Sequence, residues 1–180
     1  RNVVSLIQST YYGFGSGHVP GNVGFTMQNR GTLFAMDDKH YNRLEPFKRP
    51  FHTIIPAMVT KDGKPVLSFG VMGGDMQPQG HAQVLVNMID HGMNVQEATD
   101  AARVRHDGSD TPTGDVMTDG GRLIVESGVS EKVVAELKKR GHNVSRGGAG
   151  GGYQAIRIDH ETGLLHGGSE ARKDGAAIGY

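Results

Sequence analysis

Two adjacent glycines, Gly73 and Gly74, stand between an apolar segment and a helix-like pattern in VMGGDMQPQGHAQVLVNMID (71–90). Glycine has no Cβ, so the backbone N–H groups of such a pair can come close to a ligand. Near a helix N-terminus, two successive N–H groups can hold a phosphate or stabilise the oxyanion of a tetrahedral intermediate. The residues alone leave three interpretations open: a phosphate site, an oxyanion hole, or a tight turn without a chemical role.

Standard motifs argue against the phosphate interpretation. The chain has no G-x-x-x-x-G-K-[ST], because Gly63-Lys64 lacks the upstream glycine. Gly150, Gly152 and Ala155 match G-x-G-x-x-A, but the segment after them is a predicted strand. A dinucleotide site needs a helix at that point.

Other familiar catalytic centres are also missing from the sequence. The chain has no cysteine, which excludes disulfides, thiolate zinc sites and a cysteine nucleophile within it. It contains no G-x-S-x-G elbow, and its nine histidines form no H-E-x-x-H or H-x-x-x-H pair. Asp37 and Asp38 offer oxygen ligands to a divalent ion, but a solvated acidic turn is the favoured interpretation. We therefore expect no metal site.

Length and charge set further limits. The chain has 180 residues, enough for one domain with a sizeable core, and shows no internal repeat or clear domain boundary. Lys+Arg and Asp+Glu both total 19, which disfavours nucleic acid or an anionic membrane as the main partner. No apolar run approaches the roughly 18–20 residues that span a bilayer.

The glycine pair is framed by a predicted hairpin and a predicted helix. Residues 51–60 and 65–72 are predicted as two strands at the centre of a sheet, joined by a type I′ turn at Asp62 and Gly63. The following helix begins near Pro78 and ends before Gly92. Its apolar residues at helical spacing are Ala82, Leu85, Val86 and Ile89.

The remaining pattern predicts an α+β fold. Asn94 and Glu97 resemble a capping box for a helix over 95–104, and Ser130 caps a third helix that stops at Gly141. Strands are also predicted at 2–9, 23–30, 122–126, 142–146, 153–159 and 163–168, with 107–115 as a surface loop. Strands, then helices, then strands are typical of layered α+β proteins.

Long ordered blocks of the chain resemble the small, C-terminal subunit of the γ-glutamyltransferase (γ-glutamyltranspeptidase) family. They are VSLIQSTYYGFGSG, KRPFHTIIPAMVTKDGKP, FGVMGGDMQPQGHAQVLVNMIDHGMNVQEA and the ending AAIGY. The resemblance covers residues 1–180 and implies an α+β, four-layered αββα sandwich of the N-terminal-nucleophile (Ntn) hydrolase type. A separate large subunit from the same precursor would complete it.

The resemblance also implies a chemistry. In the family, self-cleavage exposes an N-terminal threonine whose hydroxyl attacks a γ-glutamyl amide, with its own α-amino group as base. That threonine is expected upstream of Arg1, outside this sequence. Any targeting signal would lie upstream as well, so a cytoplasmic and a secreted or periplasmic location both stay open. The family implies no cofactor, and we expect hydrolysis rather than transfer.

Site residues follow position by position from the same resemblance. Gly73 and Gly74 match the oxyanion-hole glycines, and Ser9 matches a hydroxyl residue close to the nucleophile. Tyr11 stands where better-known members have a substrate-binding asparagine. Gln154 matches a recurring glutamine, for which we expect a structural role.

Several substrate-binding positions depart from the family pattern. Arg30 stands in place of a glutamine, and Leu33 in place of the aspartate that holds the substrate α-amino group. His52 and Thr53 replace two serines that bind the α-carboxylate. An arginine can pair with a carboxylate, whereas an ammonium group buried without a counter-charge is costly. Either the substrate lacks an α-amino group, or Asp37 or Asp38 provides the negative charge that pairs with its ammonium group.

Three functions remain open from the sequence. The first is a γ-glutamyl amide hydrolase or transferase, and the second is a glutaryl or cephalosporin-type acylase. The third is a catalytically inactive homologue with a binding role. The pattern resembles the divergent, cephalosporin-acylase-like branch more than the glutathione-processing members.

Overall fold

The computed structural model describes residues 2–180, which cluster into two compact units. The first, here called the sheet unit, contains the N-terminal residues up to Leu6, Ile55–Asp107 and Gly121–Tyr180. The second, called the loop unit, contains Ile7–Ile54 and Gly108–Gly120.

The sheet unit contains two sheets and three helices. The strands are β1 (Ala57–Lys61), β2 (Lys64–Met72), β3 (Val104–Asp107), β4 (Arg122–Val125), β5 (Val144–Arg146), β6 (Gly152–Ile158) and β7 (Leu165–Ser169). The helices are α1 (Met76–Ile89), α2 (Val95–Asp100) and α3 (Glu131–Lys139). One sheet has the order β1-β2-β6-β7 and is antiparallel throughout, and the other has the order β3-β4-β5. The α+β class predicted from the sequence is confirmed.

Each sheet buries its own apolar cluster. The larger cluster joins α1 and α2 to the four-stranded sheet and consists of Leu67, Phe69, Val71, Val84, Val95, Ala98, Tyr153 and Ala155. The smaller cluster joins α3 to the three-stranded sheet and consists of Val125, Val134 and Val144. Leu67, Phe69 and Val71, at alternate positions of β2, share this cluster with Val84 of α1, whose first turn follows the glycine pair.

Local chemistry explains the boundaries next to the site. Asp62 and Gly63 have φ angles of 52° and 75°, as a type I′ hairpin turn requires, so the predicted turn is confirmed. The predicted capping box is also present, because the Asn94 side chain accepts the Glu97 N–H and the Glu97 carboxylate accepts the Asn94 N–H. Ser130 caps α3 by accepting the Val133 N–H.

Helix α1 is fastened to the three-stranded sheet by two glutamines one turn apart. Gln79 exchanges two hydrogen bonds with the backbone of His106, at 2.7 and 3.0 Å. Gln83 does the same with the backbone of Val104, at 2.8 and 2.9 Å. The two side-chain amides thus act like a neighbouring strand for β3, whose edge would otherwise expose unpaired backbone groups.

Replacing Gln79 or Gln83 with alanine is expected to lower the stability of the full-length protein by about 1–3 kcal/mol each, because two backbone groups of β3 lose their partners. Thermal unfolding should show a Tm lower by a few degrees. Asn87→Ala, one turn further along α1 and beyond the end of β3, is the matched control. Equal Tm values for all three variants would contradict this role of the glutamines.

Three strand predictions are wrong. Residues 2–9 belong to neither sheet, because serine side chains link this segment to β2: Ser5 Oγ donates to the Phe69 carbonyl and Ser68 Oγ donates to the Val4 carbonyl. Residues 23–30 form an irregular pairing with 10–18, interrupted by glycines at positive φ, and lead into a 3-10 helix at Arg30–Leu33. In 51–60 the strand starts only at Ala57, after Pro56, which has no N–H for a ladder.

Two further boundaries differ from the predictions. Strand β1 lies at the edge of its sheet, whereas β2 is internal as expected. Helix α2 ends at Asp100, and Val104 starts β3 instead of ending that helix.

Candidate active site

Gly73 and Gly74, followed by the N-cap residue Asp75, connect the end of β2 to the first turn of α1. Their φ angles of 125° and 60° belong to the region that favours glycine. Their carbonyls accept the N–H groups of Met76 and Gln77 at 3.2 and 3.1 Å. Both glycines are exposed, and neither N–H donates to an acceptor in the described part of the chain. The turn therefore has two free donors, while its two carbonyls are fixed.

Close packing holds this turn in place. Met76 is fully buried at the start of α1, and Gly80 lets the helix approach the Val71 side chain more closely than any Cβ would allow. A Cβ on Gly73 would lie 3.0 Å from the Cα of Gly151. The turn is therefore in backbone contact with the segment before β6.

His81 connects α1 to the end of β2. Its Nε2 accepts the Val71 N–H at 3.1 Å, and its ring lies against Phe69 with centroids 4.8 Å apart. Burial lowers the pKa of His81 below its ordinary value of 6.5. Both facts favour the neutral ring, since a protonated Nε2 cannot accept a hydrogen bond.

The stability of the protein is expected to fall as the pH drops below about 6.5, the pKa of an unfolded histidine. The folded pKa of His81 is the lower one, so the unfolded state takes up a proton first and the stabilisation is complete only above that pH. Tm measured from pH 7.5 to 5.5 tests this, with His81→Gln as the comparison. A His81→Gln variant with the same pH slope as the parent would show that another group causes it.

In the loop unit, Arg30 is the centre of a second cluster of predicted site residues. Its side chain is 5% exposed, its Nη1 donates to Thr53 Oγ1 at 2.7 Å, and its guanidinium lies 5.2 Å above the centre of the Tyr11 ring. The other terminal nitrogen, Nη2, is buried and has no hydrogen-bond partner among residues 2–180. A buried cationic donor without an acceptor costs free energy, so the arrangement favours an added anionic oxygen.

Tyr11 is held in a strained backbone conformation beneath Arg30. Its φ of 76° is unusual for a residue with a side chain, and Ser9 Oγ accepts its N–H at 2.9 Å. Such strain is stored most often at functional sites. The turn that contains Ser9 therefore sets the direction of the Tyr11 ring.

The structure assembles some of the predicted site residues and leaves others apart. Ser9, Tyr11, Arg30 and Thr53 form one connected group within the loop unit, and His52 beside it is exposed. Gly73 and Gly74 belong to the sheet unit.

Leu33 and Asp37, which the sequence analysis linked to the substrate ammonium group, have other surroundings. Leu33 is 6% exposed and is part of the packed interior of the loop unit. Asp37 accepts the Lys39 N–H in an exposed turn. Among residues 2–180 there is no group of three or more His, Cys, Asp or Glu suited to a metal ion, and no helix is long and apolar enough to cross a bilayer.

Comparison with known proteins identifies the family. The family model described as Gamma-glutamyltranspeptidase matches residues 1–180. The chain belongs to the γ-glutamyltranspeptidase family. It is 42% identical over 99% of its length to the Glutathione hydrolase-like YwrD proenzyme of Bacillus subtilis, of which it spans 33%. The chain therefore spans about a third of the length of that relative.

Solved structures of this family confirm the fold and the expected branch. The crystal structure of cephalosporin acylase from Bacillus halodurans has a TM-score of 0.83 at 44% identity, covering 97% of this chain and 32% of that one. Gamma-glutamyltranspeptidase from Pseudomonas nitroreducens, complexed with L-DON, has a TM-score of 0.82 at 27% identity, covering 99% of this chain and 94% of that one. Both are chains of the Ntn-hydrolase type, so the predicted fold class is confirmed.

Proposed function

We propose that this chain is the small subunit of a γ-glutamyltranspeptidase-like amide hydrolase in which Gly73 and Gly74 form the oxyanion hole. The observation that carries the proposal is the pair of unpaired N–H groups on a glycine turn fixed by Met76, Gly80 and Gly151. Donors that are already in place, with no reorganisation needed, are what an oxyanion hole requires. Membership of the family supports the assignment.

The nucleophile lies outside residues 1–180 in this proposal. It is a threonine exposed by cleavage of a precursor, and a large subunit from the same precursor completes the enzyme. The relatives in support are proenzymes, and the Pseudomonas nitroreducens chain is matched over 94% of its length by this one. A separate chain of about this size therefore exists in the family.

The reaction proceeds in two steps. The threonine hydroxyl attacks the amide carbonyl carbon while its α-amino group takes the proton, and the carbonyl oxygen becomes an oxyanion bound by the two glycine N–H groups. Collapse of this intermediate gives an ester on the threonine and releases the amine, which leaves with the proton. Water then attacks the ester through a second oxyanion and frees the acid.

Arg30 is the residue that we assign to the acyl part of the substrate. Its unpartnered Nη2 would donate to a carboxylate, with Tyr11 beneath the guanidinium and Thr53 holding Nη1. Leu33 provides no counter-charge for an ammonium group, because its side chain is apolar and packed. A carboxylate-bearing acyl group such as γ-glutamyl fits the free donor of Arg30. A glutaryl group has the same carboxylate without the ammonium group, and it is the second candidate, favoured by the apolar Leu33.

Two chromogenic substrates separate these functions in the full-length, processed enzyme. A γ-glutamyl anilide and its glutaryl analogue differ only in the α-ammonium group, so their kcat/KM values measure its contribution directly. We expect turnover of both, with the glutaryl compound at least equal. A strong preference for the γ-glutamyl compound would contradict the argument from Leu33. If neither is cleaved, the proposed hydrolase function is wrong for these acyl groups and an inactive binding homologue is favoured.

A further inference from the structure

The segment 149–151, immediately before β6, is anchored at Ala149 by two charged side chains. Ala149 is fully buried; its N–H donates to Glu126 Oε1 at 3.3 Å and its carbonyl accepts Arg105 Nη1 at 3.1 Å. Two charged side chains, Arg105 on β3 and Glu126 immediately after β4, thus hold both polar groups of one residue. Hydrogen bonds to charged groups are stronger than those between neutral ones.

Arg105 and Glu126, here called the clamp, are themselves held by further interactions. Arg105 makes two parallel hydrogen bonds to the Asp107 carboxylate, at 2.8 and 3.1 Å, which orient its guanidinium. Glu126 accepts the Arg103 N–H at 2.9 Å and also pairs with Arg172. The clamp is therefore a preorganised feature of the sheet unit.

The clamped segment reaches the candidate oxyanion hole through Gly151. Gly151 is buried at φ 82°, and a Cβ there would lie 3.0 Å from Val71 Cγ1 and 3.2 Å from Met76 Cγ, the residues on either side of the glycine turn. Its Cα would in turn lie 3.0 Å from a Cβ on Gly73. Neither Gly73 nor Gly151 has space for a Cβ, so the two backbones are in direct contact. A displacement of 150–151 therefore displaces Gly73 as well.

We propose that the segment 149–151 positions the Gly73–Gly74 turn, and that Arg105 is the positioning residue that fixes it through Ala149. The catalytic consequence rests on the proposed function, whereas the mechanical coupling does not. Oxyanion donors must lie about 2.7–3.1 Å from the developing charge. A segment that packs against the turn and prevents its displacement therefore affects the stability of the transition state more than the binding of substrate.

A pair of alanine variants, one inside and one just before the segment 149–151, tests the coupling. Gly151→Ala places a Cβ against Val71 and Met76, while Gly148→Ala places one in open space at an ordinary φ and is the matched control. In the full-length, processed protein, Gly151→Ala is expected to lower kcat on the order of 10- to 100-fold with KM changed less than about twofold, as for a small displacement of a catalytic group. Hydrogen exchange at the Met76 and Gln77 amides, which bond to the turn, should speed up in Gly151→Ala only.

Arginine variants keep the proposal testable if Gly151→Ala fails to fold. Arg105→Ala is expected to lower kcat and loosen the same two amides, and Arg105→Lys to restore part of both. Arg140→Ala removes a surface arginine paired with Glu136 and should change neither.

Several outcomes would overturn the positioning role. The first is unchanged exchange at Met76 and Gln77 in both Gly151→Ala and Arg105→Ala. The second is a loss of activity that appears equally in KM, which would indicate a general structural effect. A parent protein that cleaves neither anilide would refute the proposed function, and the exchange data would still decide the coupling.

Discussion

Replacing Gly73 with alanine is expected to lower kcat of the full-length enzyme by about 100-fold or more, the loss typical of one oxyanion-hole donor. At φ 125° a residue with a side chain is strained, and the alanine Cβ would lie 3.0 Å from Gly151. The turn must therefore shift, which moves its N–H groups away from the position of the oxyanion. Substrate contacts outside the oxyanion hole remain, so KM should change little. Steady-state kinetics on the anilide that the parent cleaves provides the measurement.

Gly70→Ala is the control for this prediction. Gly70 lies on β2, three residues before Gly73, where a Cβ has open space and φ is ordinary. It should retain near-parent kcat. A Gly73→Ala enzyme as active as Gly70→Ala would show that this turn does not hold the oxyanion.

Replacing Arg30 with leucine is expected to lower kcat/KM for a carboxylate-bearing substrate on the order of 10- to 100-fold, since a charge-assisted hydrogen bond contributes about 1.5–3 kcal/mol. The loss should appear mainly in KM. The same change removes a buried guanidinium nitrogen that lacks a partner in the free protein. Tm should therefore stay the same or rise, so that binding and stability change in opposite directions.

The comparison that isolates the carboxylate uses a second substrate and a second arginine. A butyryl anilide, which has no carboxylate, should be cleaved equally by the parent and by Arg30→Leu. Arg43→Leu, which removes a partly exposed arginine paired with Glu45 in the loop unit, should leave both substrates unaffected. An equal loss of kcat/KM on both substrates in Arg30→Leu would contradict a carboxylate-binding role.

Features set by neighbouring residues were predictable from the sequence. The Asp62–Gly63 turn, the Asn94–Glu97 capping box and the Ser130 cap each depend on the conformational preference or hydrogen bonding of residues a few positions apart. The glycine turn belongs to the same class, since a strand pattern and a helix pattern meet there.

Features made by distant segments were not predictable in this way. Residues 2–9 alternate in burial as a strand does, yet their links to β2 pass through serine hydroxyls, which periodicity does not reveal. Gln79 and Gln83 stand one turn apart on α1, but their partner strand lies some twenty residues later. The one sign of this contact in the sequence is the helical spacing of the two glutamines beside the apolar residues of the helix.

The candidate site divides in the same manner. The roles of Arg30, Thr53 and Tyr11 were inferred from the family pattern, and the structure adds that Arg30 is buried with one nitrogen unpartnered. Gly151, Arg105 and Ala149 were missed altogether. In the fold, Gly151 of the run GGAGGG at 147–152 packs tightly against Gly73, and the composition of the run gives no sign of this contact.

The central claim is that Gly73 and Gly74 serve an N-terminal threonine nucleophile in a processed enzyme. Intact-mass spectrometry of the full-length protein, before and after a rapid quench with the cleaved anilide, tests it most directly. We predict a small subunit that starts with threonine shortly before Arg1 and gains the mass of one acyl group on that residue. An uncleaved chain, a different N-terminal residue, or an acyl group attached elsewhere would contradict the account.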